Sequence, residues 1–194
     1  MKYNVKNGLG KCYIAKVTAE GYDTVKELGA LQEISVSTAE ESAVMYAGNG
    51  IIIQDSAIGE TDVTISIPAL SEELEAEIFG HTLATEGGII KNTNDSKPYF
   101  ALMFEQTAKN NETGANVTDY ITLYKGMFNQ AERKGKGKEG KPEFQNCSLS
   151  GKFSAKEDGV LQYIVSSDST GFNAETFKTK WGKTVIVPTK KVSA

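Results

Sequence analysis

The sequence predicts an α+β chain dominated by antiparallel sheet. It reads as a β-sandwich or barrel of about eight strands, with one short flanking α-helix and a long projecting β-hairpin arm. Three observations carry this. Period-2 alternation recurs along the chain, most cleanly where Val63, Ile65 and Ile67 alternate with Thr64 and Ser66. Only one stretch, Leu70 to Gly80, carries a full set of helix signals. Residues 39–60 form a connection too long for an ordinary hairpin turn, yet too apolar for a disordered linker.

In chain order, Tyr13, Ala15 and Val17 mark a first strand, with Cys12 and Ile14 on its other face. Glu20 to Asp23 is a turn signal. Leu28 to Ser37 reads as a second strand, in which Ile34 and Val36 point one way and Glu33, Ser35 and Ser37 the other. The long connection follows. It holds Val44, Met45, Tyr46, Ile51, Ile52 and Ile53 around Gly48-Asn49-Gly50 and is expected to be a projecting arm whose apolar residues need a surface to bury against. The alternative is an arm folded back over its own domain.

Asp62 to Ile67 is the next strand, with Asp62, Thr64 and Ser66 on its polar face, and Pro68 ends it because proline cannot donate to a ladder. Ser71 is placed as helix N-cap, Glu72, Glu73 and Glu75 suit the positive end of the helix dipole, and Gly80 is the expected stop. Leu70, Leu74 and Ile78 recur every fourth residue and predict the buried stripe. Ile89-Ile90 is a short apolar segment. Tyr99 to Glu105 is apolar at nearly every position, as in a strand covered on both faces. Strands are also expected over Asp119–Phe128, Phe144–Phe153, Val160–Val165 and Trp181–Val187, with a loop at Ser166–Asn173. Residues 129–142, rich in glycine and lysine, are expected to be a mobile loop.

The 194 residues suffice for one domain. With 21 basic and 25 acidic side chains the net charge is -4, which argues against a duplex-DNA binder relying on clustered cations. The first ten residues lack the apolar run of a secretory signal, and the longest aliphatic run, Ile51 to Ile53, cannot span a membrane. Without an export signal, Cys12 and Cys147 are expected to be buried free thiols. One histidine and two distant cysteines cannot build a zinc cluster. His81 reads as a satisfied boundary residue without a nucleophile partner. Gly135 to Lys141 has the spacing of a Walker A loop, but Pro142 stands where a magnesium-binding hydroxyl is required and no apolar strand leads in. The residues therefore point to no enzyme, no cofactor and no metal.

The order of these elements resembles the major tail tube protein of long, non-contractile-tailed bacteriophages. The resemblance runs through most of the chain. It rests on the Gly/Asn-bearing arm at 39–60, then VTISIPALSEELEAEIFG, KPYFALMFE, YITLYKGMF and CSLSGKFSAKEDGV. It implies a single tail-tube domain over 1–194, a β-sandwich or barrel flanked by a helix, without catalysis or cofactor. It further implies hexameric rings of this chain stacked into a tube through which phage DNA passes without specific binding. Tape measure, tail terminator and baseplate or tail-tip proteins are the implied partners. The implied location is the virion tail, with host cytoplasm during assembly and no membrane association. Some relatives append an immunoglobulin-like domain, for which this chain is expected to have no room. Many have a longer acidic segment where Lys156 to Gly159 forms only a short turn.

On this reading, Glu33, Ser35, Ser37, Asp62, Thr64 and Ser66 are candidates for the lumen face, since short hydroxyls and carboxylates offer DNA phosphates no fixed cation. The alternative is the ordinary solvated face of a sheet. A different class of function is also open: a monomeric β-sandwich ligand-binding or adhesion module, for carbohydrate, with an aromatic platform that Tyr120 and Tyr124 could make; the alternative for these two rings is core or interface packing.

Overall fold

The computed structural model describes residues 2–48, 50–129 and 146–189. In chain order these form β1 (Asn4–Thr18), β2 (Gly21–Tyr22), β3 (Lys26–Ala30), β4 (Glu33–Ala47), β5 (Gly50–Ile67) and helix α1 (Glu72–Phe79). β6 (Thr82–Leu83), β7 (Ile89–Ile90), β8 (Phe100–Asn110), β9 (Asn116–Asn129), β10 (Cys147–Ser154), β11 (Gln162–Ser166) and helix α2 (Ala174–Lys180) follow. Nine strands join one antiparallel sheet in the order β2-β1-β8-β9-β10-β5-β4, with β3 also on β1 and β11 also on β9; β6 and β7 pair separately.

A short connection shapes this sheet. β3 and β4 belong to opposite ends of the strand order, yet only Leu31 and Gln32 join them. Three Cα steps span at most about 11 Å, so the two ends of the sheet must curl toward each other. Gln32 completes the approach by donating its amide to the Ser66 carbonyl of β5 at 2.9 Å. The curl encloses one apolar cluster in which Ile14, Val63, Ile65, Leu102, Phe128 and Leu149 meet Ile78 and Phe79 of α1. Phe153 lies so close to Gly126 that a Cβ there would stand 2.4 Å from its ring, so the packing requires glycine.

The helix matches its sequence signals at both ends. Ser71 accepts a hydrogen bond from the Leu74 amide at 3.3 Å, and Gly80 terminates the helix at φ 71. The buried stripe is rotated from the one expected. Ile78 is fully buried, but Leu70 and Leu74 are only half-buried, and Ala76 and Phe79 complete the covered face. The i, i+4 leucine spacing marks one edge of the apolar arc, because at 3.6 residues per turn Phe79 lies near its centre and Ala76 at its far edge.

Three points differ from the sequence reading. The strand expected over Leu28–Ser37 is two strands, since the chain changes partner at Leu31 and Gln32. Eleven strands and two helices are present among the described residues, against about eight and one expected. Trp181 to Val187 is not a strand. The chain there turns out of α2, which is capped by Asn173 accepting from the Thr176 amide at 3.0 Å. Its aromatic residues explain the difference. Phe172, Phe177 and Trp181 gather on the ring of Tyr120, with centroids 5.9, 5.0 and 4.8 Å away, and Trp181 Nε1 donates to Glu105 Oε1 at 2.7 Å. This layer packs on the second face of β8 and β9; of the Tyr99–Glu105 stretch, Phe100–Phe104 are buried on both faces, whereas Tyr99 is exposed and Glu105 half-buried. Of the loop expected at 129–142, only Asn129 lies within the described residues. The Walker-like Gly135 to Lys141 segment lies outside them. Neither cysteine is in a disulfide; Cys12 is buried and Cys147 half-buried.

Candidate assembly arm and polar sheet face

The hairpin of β4 and β5 is continuous in hydrogen bonding but not in support. Its base, residues 33–38 against 61–66, is backed by β10, whose ladder on β5 runs from Cys147↔Ile67 to Phe153↔Thr61 and stops. Beyond Thr61 the two strands pair only with each other, from Glu40↔Ile58 to Ala47↔Gly50. Two register shifts, between Thr38 and Glu40 and between Met45 and Tyr46, add local twist along the ribbon. The expected arm at 39–60 is therefore present as a two-stranded extension of the sheet, and it does not fold back over its own domain.

Its side chains stand in solvent on both faces. Met45, Tyr46, Ile51, Ile52, Ile53 and Ile58 are 64%, 69%, 57%, 59%, 58% and 72% exposed, and Val44 is 36% exposed. The cross-strand pairs Met45↔Ile53 and Tyr46↔Ile51 bring these groups together at the tip. Ile58 is the apolar residue that the sequence reading omitted. It sits beside the register shift, outside the tip run that drew attention.

The six polar-face residues also come together. Glu33 pairs with Ser66, Ser35 with Thr64 and Ser37 with Asp62. β10 extends each row with Ser148, Ser150 and Lys152. The result is a polar surface three strands wide, backed by buried Val63, Ile65, Leu149 and Phe153. Lys152 is the correction here: one cation stands on a face expected to have none. It is tied to Glu60 at 2.8 Å and lies 4.0 Å from Asp62. The Glu60 carboxylate beside it holds the ammonium above its ordinary range. With Glu33, Glu60 and Asp62 against Lys152, the surface stays net acidic.

The remaining candidates are placed as follows. His81 Nδ1 and Asp95 Oδ2 lie 2.6 Å apart. Asp95 also accepts from the Asn92 amide at 2.9 Å, and these contacts, the Asn92 amide first, hold its carboxyl below the usual range. Tyr120 lies beneath the α2 aromatic layer. Tyr124 is fully buried and donates its hydroxyl to the Ile186 carbonyl at 2.8 Å, with burial pushing the phenol pKa up. Tyr124 offers no ring to solvent, and Tyr120 is half-buried with Phe172, Phe177 and Trp181 packed on it. No group of three or more His, Cys, Asp or Glu able to hold a metal occurs among the described residues. On α1, Glu77 pairs with Lys26 at 2.7 Å and Glu75 with Lys91 at 3.3 Å, which leaves Glu72 and Glu73 as its exposed acidic edge.

A charge pattern missed by residue-level reading becomes clear once the arm is located. Residues 27–90 contain twelve Asp and Glu and no Lys or Arg. All 21 basic residues fall outside this span, together with the other 13 acidic ones. The β4–β5 hairpin and α1 thus lie in an acidic third of the chain, and the flanking segments are net basic. Neither a protein-family model nor a curated protein matches the sequence.

Proposed function

We propose that this chain is a structural subunit whose copies close into hexameric rings and stack into the hollow tail tube of a long-tailed bacteriophage, the conduit for genome ejection. The observation that carries the reading is the arm. A two-stranded ribbon is marginal in water on its own, and apolar groups exposed on both faces gain nothing from solvent. Burial against another copy supplies what the isolated fold lacks. Closed rings of heterologous contacts, stacked through a projecting element, are a simple route to a tube.

The polar face fits the inner wall in this reading. It is a run of short hydroxyls with a small acidic excess, and its one lysine is already paired. DNA phosphates would find no free cation there to exchange for counterions. Tape measure, terminator and tail-tip proteins would meet the ends of such a tube, and the virion tail would be its location. No catalytic step or cofactor belongs to this function.

Negative-stain imaging and size-exclusion chromatography of the purified full chain test it. Rings with sixfold end views, or tubes built from them, are expected as concentration rises. A monodisperse monomer over a wide concentration range would overturn the proposal and favour a monomeric ligand-binding module.

A further inference from the structure

The chain after β11 is held to the sheet differently from the strands before it. Ser167 donates its amide to the Thr118 carbonyl at 2.9 Å, the last backbone hydrogen bond to a neighbouring strand among the described residues. Beyond it the backbone bonds only locally, Phe177 to Asn173, Trp181 to Phe177, and Lys183 and Thr184 to Lys180. Residues 172–189 are tied to the sheet through side chains. Phe172, Phe177 and Trp181 meet the Tyr120 ring, Trp181 donates to Glu105, and the Tyr124 hydroxyl donates to the Ile186 carbonyl. Gly182 rests against the Tyr13 ring. Within the segment only Phe177 is buried.

These contacts fall on one face of the sheet. The register sets Tyr13 opposite Met103, Met103 opposite Thr122 and Glu105 opposite Tyr120. All five stand on the side turned away from the enclosed cluster, which takes Ile14, Leu102, Phe104, Ile121 and Leu123 from the same strands. Met103 and Thr122 are fully buried there, and Thr122 Oγ1 has no hydrogen-bond partner among the described residues. A buried hydroxyl without a partner costs free energy that contact with water recovers. Aromatic packing and two hydrogen bonds therefore close this cover against an unsatisfied group on the face it packs on.

We propose that residues 172–189 form a strap that lifts from this face as a unit while the sheet and its core stay folded. Segments with few buried contacts and no ladder open at lower free energy than the core. The Trp181–Glu105 bond latches the strap near its middle and the Tyr124–Ile186 bond near its end. Lifting it uncovers Met103 and the Tyr120 and Tyr124 rings and gives Thr122 access to water. The chain then has a second apolar face, separate from the arm, that is closed in one state and open in the other. The strap does not depend on the assembly role.

Trp181 is the chain's only tryptophan, so its fluorescence reports the strap, while far-UV circular dichroism reports the sheet. The full chain is titrated with denaturant at concentrations where it is monomeric. The Trp181 emission is expected to shift red at lower denaturant than the circular dichroism changes. Two variants ask whether the strap moves as one. Tyr124→Phe removes only the hydroxyl that holds Ile186, and Phe172→Ala removes a ring at the opposite end. Each is expected to move the Trp181 transition to lower denaturant and to speed exchange of the Trp181 amide several-fold. Each is also expected to leave the circular-dichroism midpoint where it is in the wild type. Should Tyr124→Phe fail to fold, Phe172→Ala, which lies outside the sheet, decides alone. A single transition shared by both probes would overturn the proposal by making the segment part of the core. Variants that leave Trp181 unaffected would overturn it by showing that the two ends move separately.

Discussion

The two halves of the β4–β5 hairpin share their strands and their ladder but differ in what lies behind them. In the base, Val63, Ile65 and Ile67 are buried and alternate with polar residues, because β10 continues the sheet alongside and α1 with the curled sheet covers one face. In the outer half nothing covers either face, and alternation is lost: Ile51, Ile52 and Ile53 are consecutive and all exposed. The comparison teaches that strand formation and burial are separable. Backbone pairing extends the ribbon past its support, but apolar content there contributes no core. The base follows the logic of folding, and the tip follows that of an interface.

The largest expected effect comes from breaking the supported half. Ile65→Ala removes a fully buried side chain from the enclosed cluster and is expected to lower stability by about 2–5 kcal/mol in chemical denaturation. The matched change in the tip, Ile53→Ala, is expected to stay within about 0.5 kcal/mol, since its side chain already stands in water. Equal losses at the two sites would erase the distinction.

Next is the helix that covers the base. Gly80→Ala forces a β-carbon to a left-handed φ of 71 and to 2.1 Å from the Ser96 carbonyl oxygen. A loss of about 1–3 kcal/mol is expected, with the arm's exposure unchanged. Within α1, Leu74→Ala is expected to cost about 1 kcal/mol because Leu74 is half-buried, and Ile78→Ala about 2–5 kcal/mol. A reversed order would return the helix stripe to the leucine spacing.

The smallest effect on folding belongs to the polar face. Ser35→Lys with Thr64→Lys adds two unpaired cations to adjacent positions in one row and is expected to leave melting and tube assembly nearly unchanged. In assembled particles it is expected to slow genome ejection at low salt, with recovery as salt rises. Unimpaired ejection at low salt would remove this face from the lumen.

Much of this was legible in the sequence because local chemistry determined it. Ser71, Pro68 and Gly80 punctuate α1 as their backbone preferences require. The polar rows of β4 and β5 follow from simple alternation, and the arm's length and composition marked it as an extension. What escaped reading depends on long-range pairing. Lys152 reaches the polar face only through the β10 register on β5. The chain's change of partner at Leu31 and Gln32 reflects sheet closure, which no local window records. The final stretch looked like a strand because Val185, Ile186 and Val187 are β-branched, yet Tyr120 and Glu105, far away in sequence, organise that end of the chain around Phe172, Phe177 and Trp181.

The central claim is that the arm serves assembly and not the fold. Replacing residues 44–53 with a short Gly/Ser linker and comparing the product with the wild type by thermal melting and electron microscopy tests it most directly. The account predicts a soluble chain with a cooperative melt close to that of the wild type, and no rings or tubes at concentrations where the wild type forms them. A replaced chain that unfolds, or one that still builds tubes, would contradict it.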